Sequence, residues 1–241
     1  MKATDLARKL HEDGHITGNL NTELGLDFTQ SRPWQDLGAT WNRLPQDRYM
    51  ADGGTYRQRR YSEFTCASGR AALLPHREFY QSADINALNG GVVRHFDAFE
   101  PGTSANDALH RVLAWSTAIL DALHGPSNWL AQCFQNRTLA RKKAPGLPTP
   151  EGKHRDGADY NMVLLVRRAS ITGATNTVYD SSGGPIRTLL LSEPGDFLIN
   201  DDRRTMHDAT PISLLGTAPE GHRDAFVVSF TRNSVHGVCR R

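Results

Sequence analysis

The sequence predicts a mainly β fold with bracing helices, of the sandwich or barrel kind, on three observations. From Trp129 onward the chain breaks into short β-like runs separated by Gly, Pro, Asp or Ser. One long amphipathic helix stands out, over residues 104–125. The C-terminal half shows no alternation of helix and strand, which argues against a parallel doubly wound sheet.

Taken in order, "TDLARKLHEDG" reads as a helix that stops at Gly14. The rest of the first 50 residues mixes short helical patterns with loops. "TYRQRRYSEFTCA" alternates aromatic with basic residues, as a strand with one solvated face would. Its cluster "RQRRY" (57–61) is read as that solvated face rather than a phosphate or nucleic-acid site, because no aromatic stacking platform accompanies it. In the long helix Ser104 or Asn106 supplies the cap, and Leu109, Val112, Leu113, Ile119, Leu120 and Leu123 recur on one face. Gly125 and Pro126 end it. The β-like runs follow as "WLAQCFQNRTLA", "YNMVLLVRR", "TNTVYD", "IRTLLL", "DFLIND" and "DAFVVSF". Strands lie on both sides of "KKAPGLPTPEG" (142–152), so it is an in-domain loop. The expectation is a single domain over 1–241, with 1–128 as helical and strand support and 129–241 as the core that holds the site.

Composition narrows the function classes. The 241 residues carry a net charge of only +2, too little to imply nucleic acid or an anionic membrane as partner. "ARKKA" (140–144) is read as a solvated basic linker. The three cysteines, Cys66, Cys133 and Cys239, are odd in number and lack metal spacing, which fits a reducing compartment; Cys133 reads as a small buried hydrophobe. No apolar leader core and no run of 18 apolar residues occurs, so the expected location is cytoplasmic, with no membrane partner. Trp34, Trp41, Trp115 and Trp129 are core aromatics.

The chemistry concentrates in "PEGKHRDGADYNMVLLVRR". His154 and Asp156, at i and i+2 of an extended backbone, point to one face and can grip one metal ion. His207, in "NDDRRTMHDATPI", lies 51 residues beyond Asp156, a separation that a jelly roll closes by crossing strands between its two sheets. Two imidazoles and one carboxylate make a facial triad for Fe(II) with open positions opposite; zinc accepts the same set, as in a hydrolase. Arg223, in "GHRDAFVVSF", comes 16 residues past His207. An arginine aimed into a barrel needs an anion, and its planar fork suits a carboxylate, unless a surface pair with Asp224 or Glu220 satisfies it. A dicarboxylate cosubstrate meets that need; a zinc hydrolase has none. The other eight histidines, His222 and His236 among them, lack metal spacing, and His110 and His124 fall on the long helix as surface or interface residues.

With these residues the chain resembles the iron(II)- and 2-oxoglutarate-dependent dioxygenases, with their His-x-Asp…His…Arg signature. More narrowly it resembles the bacterial free amino-acid hydroxylases, the subgroup that contains L-isoleucine 4-hydroxylase. "DRYMADGGTYRQRRYSEF", "FYQSADINALNGGVVRHFDAFEP", "PEGKHRDGADYNMVLLVRR", "ITGATNTVYD" and "MHDATPI" read like that subgroup's segments in its order. One departure is Ala174, where the subgroup has the second of two glycines, and whose methyl either narrows the pocket or faces another sheet; another feature, the loop "LLGTAPEGH", is either a lid or a plain turn. The resemblance implies a double-stranded β-helix (jelly-roll, cupin-like), with iron on His154, Asp156 and His207 and the far carboxylate of 2-oxoglutarate on Arg223. It implies Fe(II), 2-oxoglutarate and O2 as cofactor and cosubstrates, and a small-molecule amino acid, aliphatic or cyclic (isoleucine, leucine, proline or pipecolate-like), as substrate. The carboxylate at 156 disfavours halogenation, which needs that position free for chloride.

A free amino acid needs a base, an acceptor and an apolar wall. Arg94, Gln135, Arg137, Tyr160 and Thr177, all in strand-like segments, are the candidates. Each has a structural reading beside it: Arg94 paired with Asp97, Arg137 capping the sheet edge, Tyr160 in the core. Alternatives to hydroxylation are desaturation or a carrier-tethered substrate on the same iron, a non-catalytic cupin-like binder of a metal and a small acid, and a zinc hydrolase.

Overall fold

A computed structural model describes residues 2–233; Cys239 and His236 lie outside the described residues. The N-terminal segment forms helix α1 (Ala3–Asp13), strand β1 (His15–Asn19) and helices α2 (Leu20–Leu24) and α3 (Arg32–Ala39). Strands β2 (Arg57–Ala67) and β3 (Arg70–Leu73), helices α4 (Pro101–Ser104) and α5 (Asp107–His124), and strand β4 (Asn128–Arg141) follow. The rest is β: β5 (Tyr160–Ala169), β6 (Ile171–Gly173), β7 (Thr175–Tyr179), β8 (Pro185–Leu190), β9 (Asp196–Asp201), β10 (Met206–Ala209), β11 (Ile212–Leu214) and β12 (Glu220–Asn233).

Both long helices end as their sequences predict. Gly14 takes the left-handed φ of 73° and its N–H closes on Leu10 O, a conformation that costs glycine nothing. At the start of α5 it is Asn106, not Ser104, that caps, its side chain accepting from the N–H groups of Ala108 and Leu109. Ser104 belongs to the short α4.

A seven-stranded antiparallel sheet in the order β1-β9-β5-β12-β4-β2-β3 forms one layer. Opposite it lie a three-stranded sheet, β10-β7-β8, and the pair β11-β6, which together give the jelly-roll core. Because side chains alternate along a strand, the large sheet has two distinct faces. Its outer face, with Phe64, Leu164, Phe197 and Phe226, packs under α1 and α5, whose Leu6, Leu10, Leu109 and Leu113 complete the main core. Its inner face carries a smaller cluster of Val163, Leu165 and Ala225 against Leu189 and Leu191. The remaining inner positions line a cavity.

One expectation changes, and two open alternatives resolve. β2 is covered on both sides, so its basic residues are not a solvated face; Arg57 and Arg59 are buried. Ala174 is fully buried in a satellite cluster with Ala140, Ile171 and Ile212, away from the cavity, and holds a left-handed φ of 58°. That backbone explains why glycine suits the position: an alanine there bears a steric cost of about 1–2 kcal/mol. "LLGTAPEGH" is the turn between β11 and β12 and does not line the cavity. Of the described residues, no helix is long and apolar enough to cross a membrane.

Candidate metal centre and its cavity

The loop before β5 and strand β10 meet edge to edge. His154 N–H donates to His207 O at 3.1 Å, and His207 N–H returns to His154 O at 2.9 Å. This two-bond bridge holds the two imidazoles side by side, ring centroids 4.4 Å apart and planes inclined at 51°. Asp156, two residues on, turns its carboxylate to the same spot: Oδ1 lies 3.4 Å from His154 Nε2 and Oδ2 lies 3.8 Å from His207 Nε2. One ligand atom from each of the three residues falls within 4.8 Å of the others, a spacing that admits a single ion.

The loop is braced from beneath. Asp202, almost wholly buried, accepts the backbone N–H groups of Asp156, Gly157 and Ala158 at 3.0, 2.7 and 3.1 Å. Three successive N–H groups converge on one carboxylate only because Gly157 adopts a φ of 83°; a Cβ there would sit 2.5 Å from Ile85. From above, Gln81 donates to Asp156 O at 2.9 Å. His154 Nδ1 donates to Gly152 O at 2.9 Å, which turns Nε2 toward Asp156 and makes it the nitrogen available to a metal.

The charges around the ligand set are strongly coupled. Burial opposes charging His154, yet Asp156 and Glu151 outweigh it and lift the imidazole to about 9. Burial and the neighbouring His154 charge push His207 down to about 4. Burial and the charge of Asp156 lift Asp202 to about 6. Asp156 Oδ2 and His207 Nδ1 are buried without a hydrogen-bond partner. Two imidazoles and a carboxylate with one ligand atom each within 4.8 Å of the others, and an unpartnered carboxylate oxygen among them, fit Fe(II).

Arg223 opens on the same cavity. The register sets Arg223 beside Thr138, and Thr138 beside Arg57, so the three form one row across β12, β4 and β2. Arg223 is buried and its Nε and Nη2 have no partner. Burial, then the nearby Arg168, brings it down to about 10. The surface-pair reading fails for a topological reason: Asp224 is the next residue and faces the other side of the sheet, while Glu220 pairs with Arg141 at 2.8 Å. An anion is required in the cavity, and a carboxylate satisfies the fork.

Of the five substrate candidates, the structure brings only Arg94 to this cavity. It is buried over Phe79, its Cζ 4.7 Å from the ring centroid, and does not pair with Asp97, which lies near Arg60 instead. Gln135 and Arg137 do share a face, but it is the outer one. Gln135 donates to Thr40 Oγ1 at 2.6 Å, and Arg137 makes a forked pair with Asp224 at 2.6 and 2.8 Å. Tyr160 sits in the main core with its hydroxyl 2.7 Å from His124 Nε2. Thr177 faces Thr188 across β7 and β8, its Oγ1 3.5 Å away and exposed. Sequence reasoning missed Arg59, Glu151 and Asp202. Parity was the available signal for Arg59, since Arg57, Arg59 and Tyr61 alternate toward one face.

Comparison with known proteins adds the following. A family model described as 2OG-Fe dioxygenase matches residues 38–229. The chain is 25% identical over 199 residues to L-isoleucine-4-hydroxylase of Bacillus thuringiensis, covering 78% of each. Among solved structures, a bsmA homolog from Methylobium petroleophilum superposes with a TM-score of 0.82 at 26% identity, over 96% of this chain and 93% of the other. IDO from Bacillus thuringiensis superposes at 0.79 with 18% identity, over 97% and 100%, and shares the fold.

Proposed function

The chain belongs to the 2OG-Fe dioxygenase family and is a 2-oxoglutarate-dependent non-haem iron dioxygenase, and we propose that it hydroxylates an unactivated C–H bond of a free aliphatic or cyclic amino acid. One observation carries the reading: a three-residue ligand set and an anion-seeking arginine open on a single cavity. Similarity to an isoleucine hydroxylase supports an amino acid as substrate.

Each side chain has a task. His154, Asp156 and His207 would hold the iron, and Arg223 the far carboxylate of 2-oxoglutarate. Iron(II) with 2-oxoglutarate and O2 supplies the oxygen atom and the oxidising power, releasing succinate and CO2. The protein's own work is positioning and keeping water out. Asp202 and Gln81 hold the ligand loop in place from two sides. Phe79, Phe134, Val163 and Val227 present an apolar wall against which a hydrocarbon side chain excludes water.

The test is a screen of the twenty amino acids and pipecolate for a gain of one oxygen by mass, with succinate measured alongside. Succinate release that depends on one amino acid is the expected result. Succinate formed equally with and without any amino acid would overturn it, and so would amino-acid-dependent release with loss of two hydrogens, which indicates desaturation. Arg223→Met is expected to raise KM for 2-oxoglutarate about 30-fold or more, the effect of unpairing one buried charged contact. Mn(II) affinity should stay as in the wild type, because Arg223 touches no metal ligand.

A further inference from the structure

The cavity holds a second unbalanced set of charges, on the side of β2. Arg57 and Arg59 both reach the single carboxylate of Asp47, at 2.8 and 3.2 Å. Arg94 has no ion pair among the described residues; its one side-chain hydrogen bond there runs to Gln81 Oε1 at 3.3 Å. Arg94 Nε is buried without a partner, while Arg59 Nε makes no hydrogen bond and has only the ion pair to Asp47 that Arg57 already holds. Three guanidinium groups thus share one carboxylate, and a buried cation without its anion is unfavourable by several kcal/mol. Both guanidiniums sit over aromatic rings, Arg59 Cζ 5.1 Å from the Phe96 centroid and Arg94 Cζ 4.7 Å from that of Phe79. Their orientation is therefore set before any ligand arrives.

This seat is separate from that of Arg223. Arg57 and Arg223 stand in one cross-strand row with β4 between them, so their backbones are about 10 Å apart at the ordinary strand spacing. Arg59 is two residues further along β2. One small dicarboxylate chelated at the iron and gripped by Arg223 leaves the β2 side open.

Facing these arginines is Glu151, on the loop that carries His154. Its side chain is only 12% exposed, its Oε1 lies 3.6 Å from His154 Nε2, and its Oε2 is buried without a partner. Its charge acts on both Arg59 and Arg94. A lone anionic oxygen sharing a cavity with one unpaired guanidinium and a second that must share its carboxylate is complementary to a molecule that carries a positive and a negative group on one carbon.

We propose that Arg59 and Arg94 bind the α-carboxylate of the substrate and that Glu151 receives its α-ammonium, so that these three residues select a free α-amino acid. The proposal rests on the hydroxylase reading above and deepens it. It specifies an unblocked amine and an unblocked acid, which a carrier-tethered substrate lacks.

The experiment measures binding under anaerobic conditions to the full chain loaded with Mn(II) and 2-oxoglutarate. The probes are L-isoleucine, L-leucine, L-proline and L-pipecolate, and, for whichever binds tightest, its 2-hydroxy acid and its amide. Wild type is expected to prefer the amino acid over each analogue by about 30-fold or more. Glu151→Gln should bring its preference over the 2-hydroxy acid below about threefold while leaving the hydroxy acid's own affinity unchanged or higher. Arg94→Met should weaken amino acid and hydroxy acid alike and leave the amide unaffected, which provides an independent arm should Glu151→Gln not fold. Equal weakening of all three ligands in both variants would overturn the proposal, as would an undiminished preference over the 2-hydroxy acid in Glu151→Gln or over the amide in Arg94→Met. If the preference pattern holds but no oxygen is gained in the mass screen, the hydroxylase reading fails and the receptor stands. If oxygen is gained while the variants keep the wild-type preference, the receptor fails and the hydroxylase reading stands.

Discussion

Asp156→Ala is expected to abolish hydroxylation and to weaken Mn(II) binding by more than about 100-fold, beyond the 10–100-fold that changes outside the ligand set cost. Asp156 is the only carboxylate in the three-residue set, so its loss removes both a ligand and the negative charge that offsets the metal. The backbone should survive the change, since Asp202 bonds the loop through main-chain N–H groups and Gln81 through a main-chain oxygen. A thermal melt like the wild type's, together with a lost Mn(II) isotherm and no product mass, would separate loss of the site from loss of the fold. Wild-type turnover in this variant would end the assignment of Asp156 to the metal.

The second large effect lies on the opposite face of the sheet. Asp224, fully buried, takes a fork from Arg137, a further bond from Arg167 at 3.2 Å, and the approach of His222 at 3.7 Å. Asp224→Ala leaves Arg137 buried with no counter-charge, and stability should fall by about 3–5 kcal/mol. Arg167 can relax toward solvent, but Arg137, nearly enclosed beside Asn42, cannot. Urea denaturation reads the loss directly; a change below about 1 kcal/mol would show that the pair is not buried as described. Under conditions where the variant stays folded, KM for the amino acid should be that of the wild type, because Arg137 and the cavity are on different faces. A raised KM there would return Arg137 to the substrate.

Arg137 and Arg94 show where sequence reasoning reached its limit. Both are arginines in strand-like segments, and from composition each was an equal candidate for a carboxylate. Parity correctly grouped Gln135 with Arg137 on one face of β4, but parity does not say which face looks into the barrel. That choice belongs to the outer core, where Cys133, Phe226 and Val228 pack beneath the helices and commit the alternate residues inward. The basic run on β2 was misjudged for a related cause. Alternation of basic and aromatic residues looks the same whether the basic face meets water or a charged cavity. The unforeseen strands β1, β3, β6, β10 and β11 are three to five residues long, too short for a period to declare itself.

By itself the sequence determined the β-rich architecture, the two capped helices and the residues whose chemistry suits iron and a keto acid, since periodicity, caps and side-chain type are local properties written in order along the chain. Only the tertiary structure decided that His154 and His207 share a two-bond bridge, that Arg223 is left without a partner while Arg137 is paired, and that Glu151 faces Arg59 and Arg94. Those facts depend on which strands become neighbours and which face each one turns inward. Both are settled by burying one continuous apolar surface against the helices, an interaction among residues far apart in the chain.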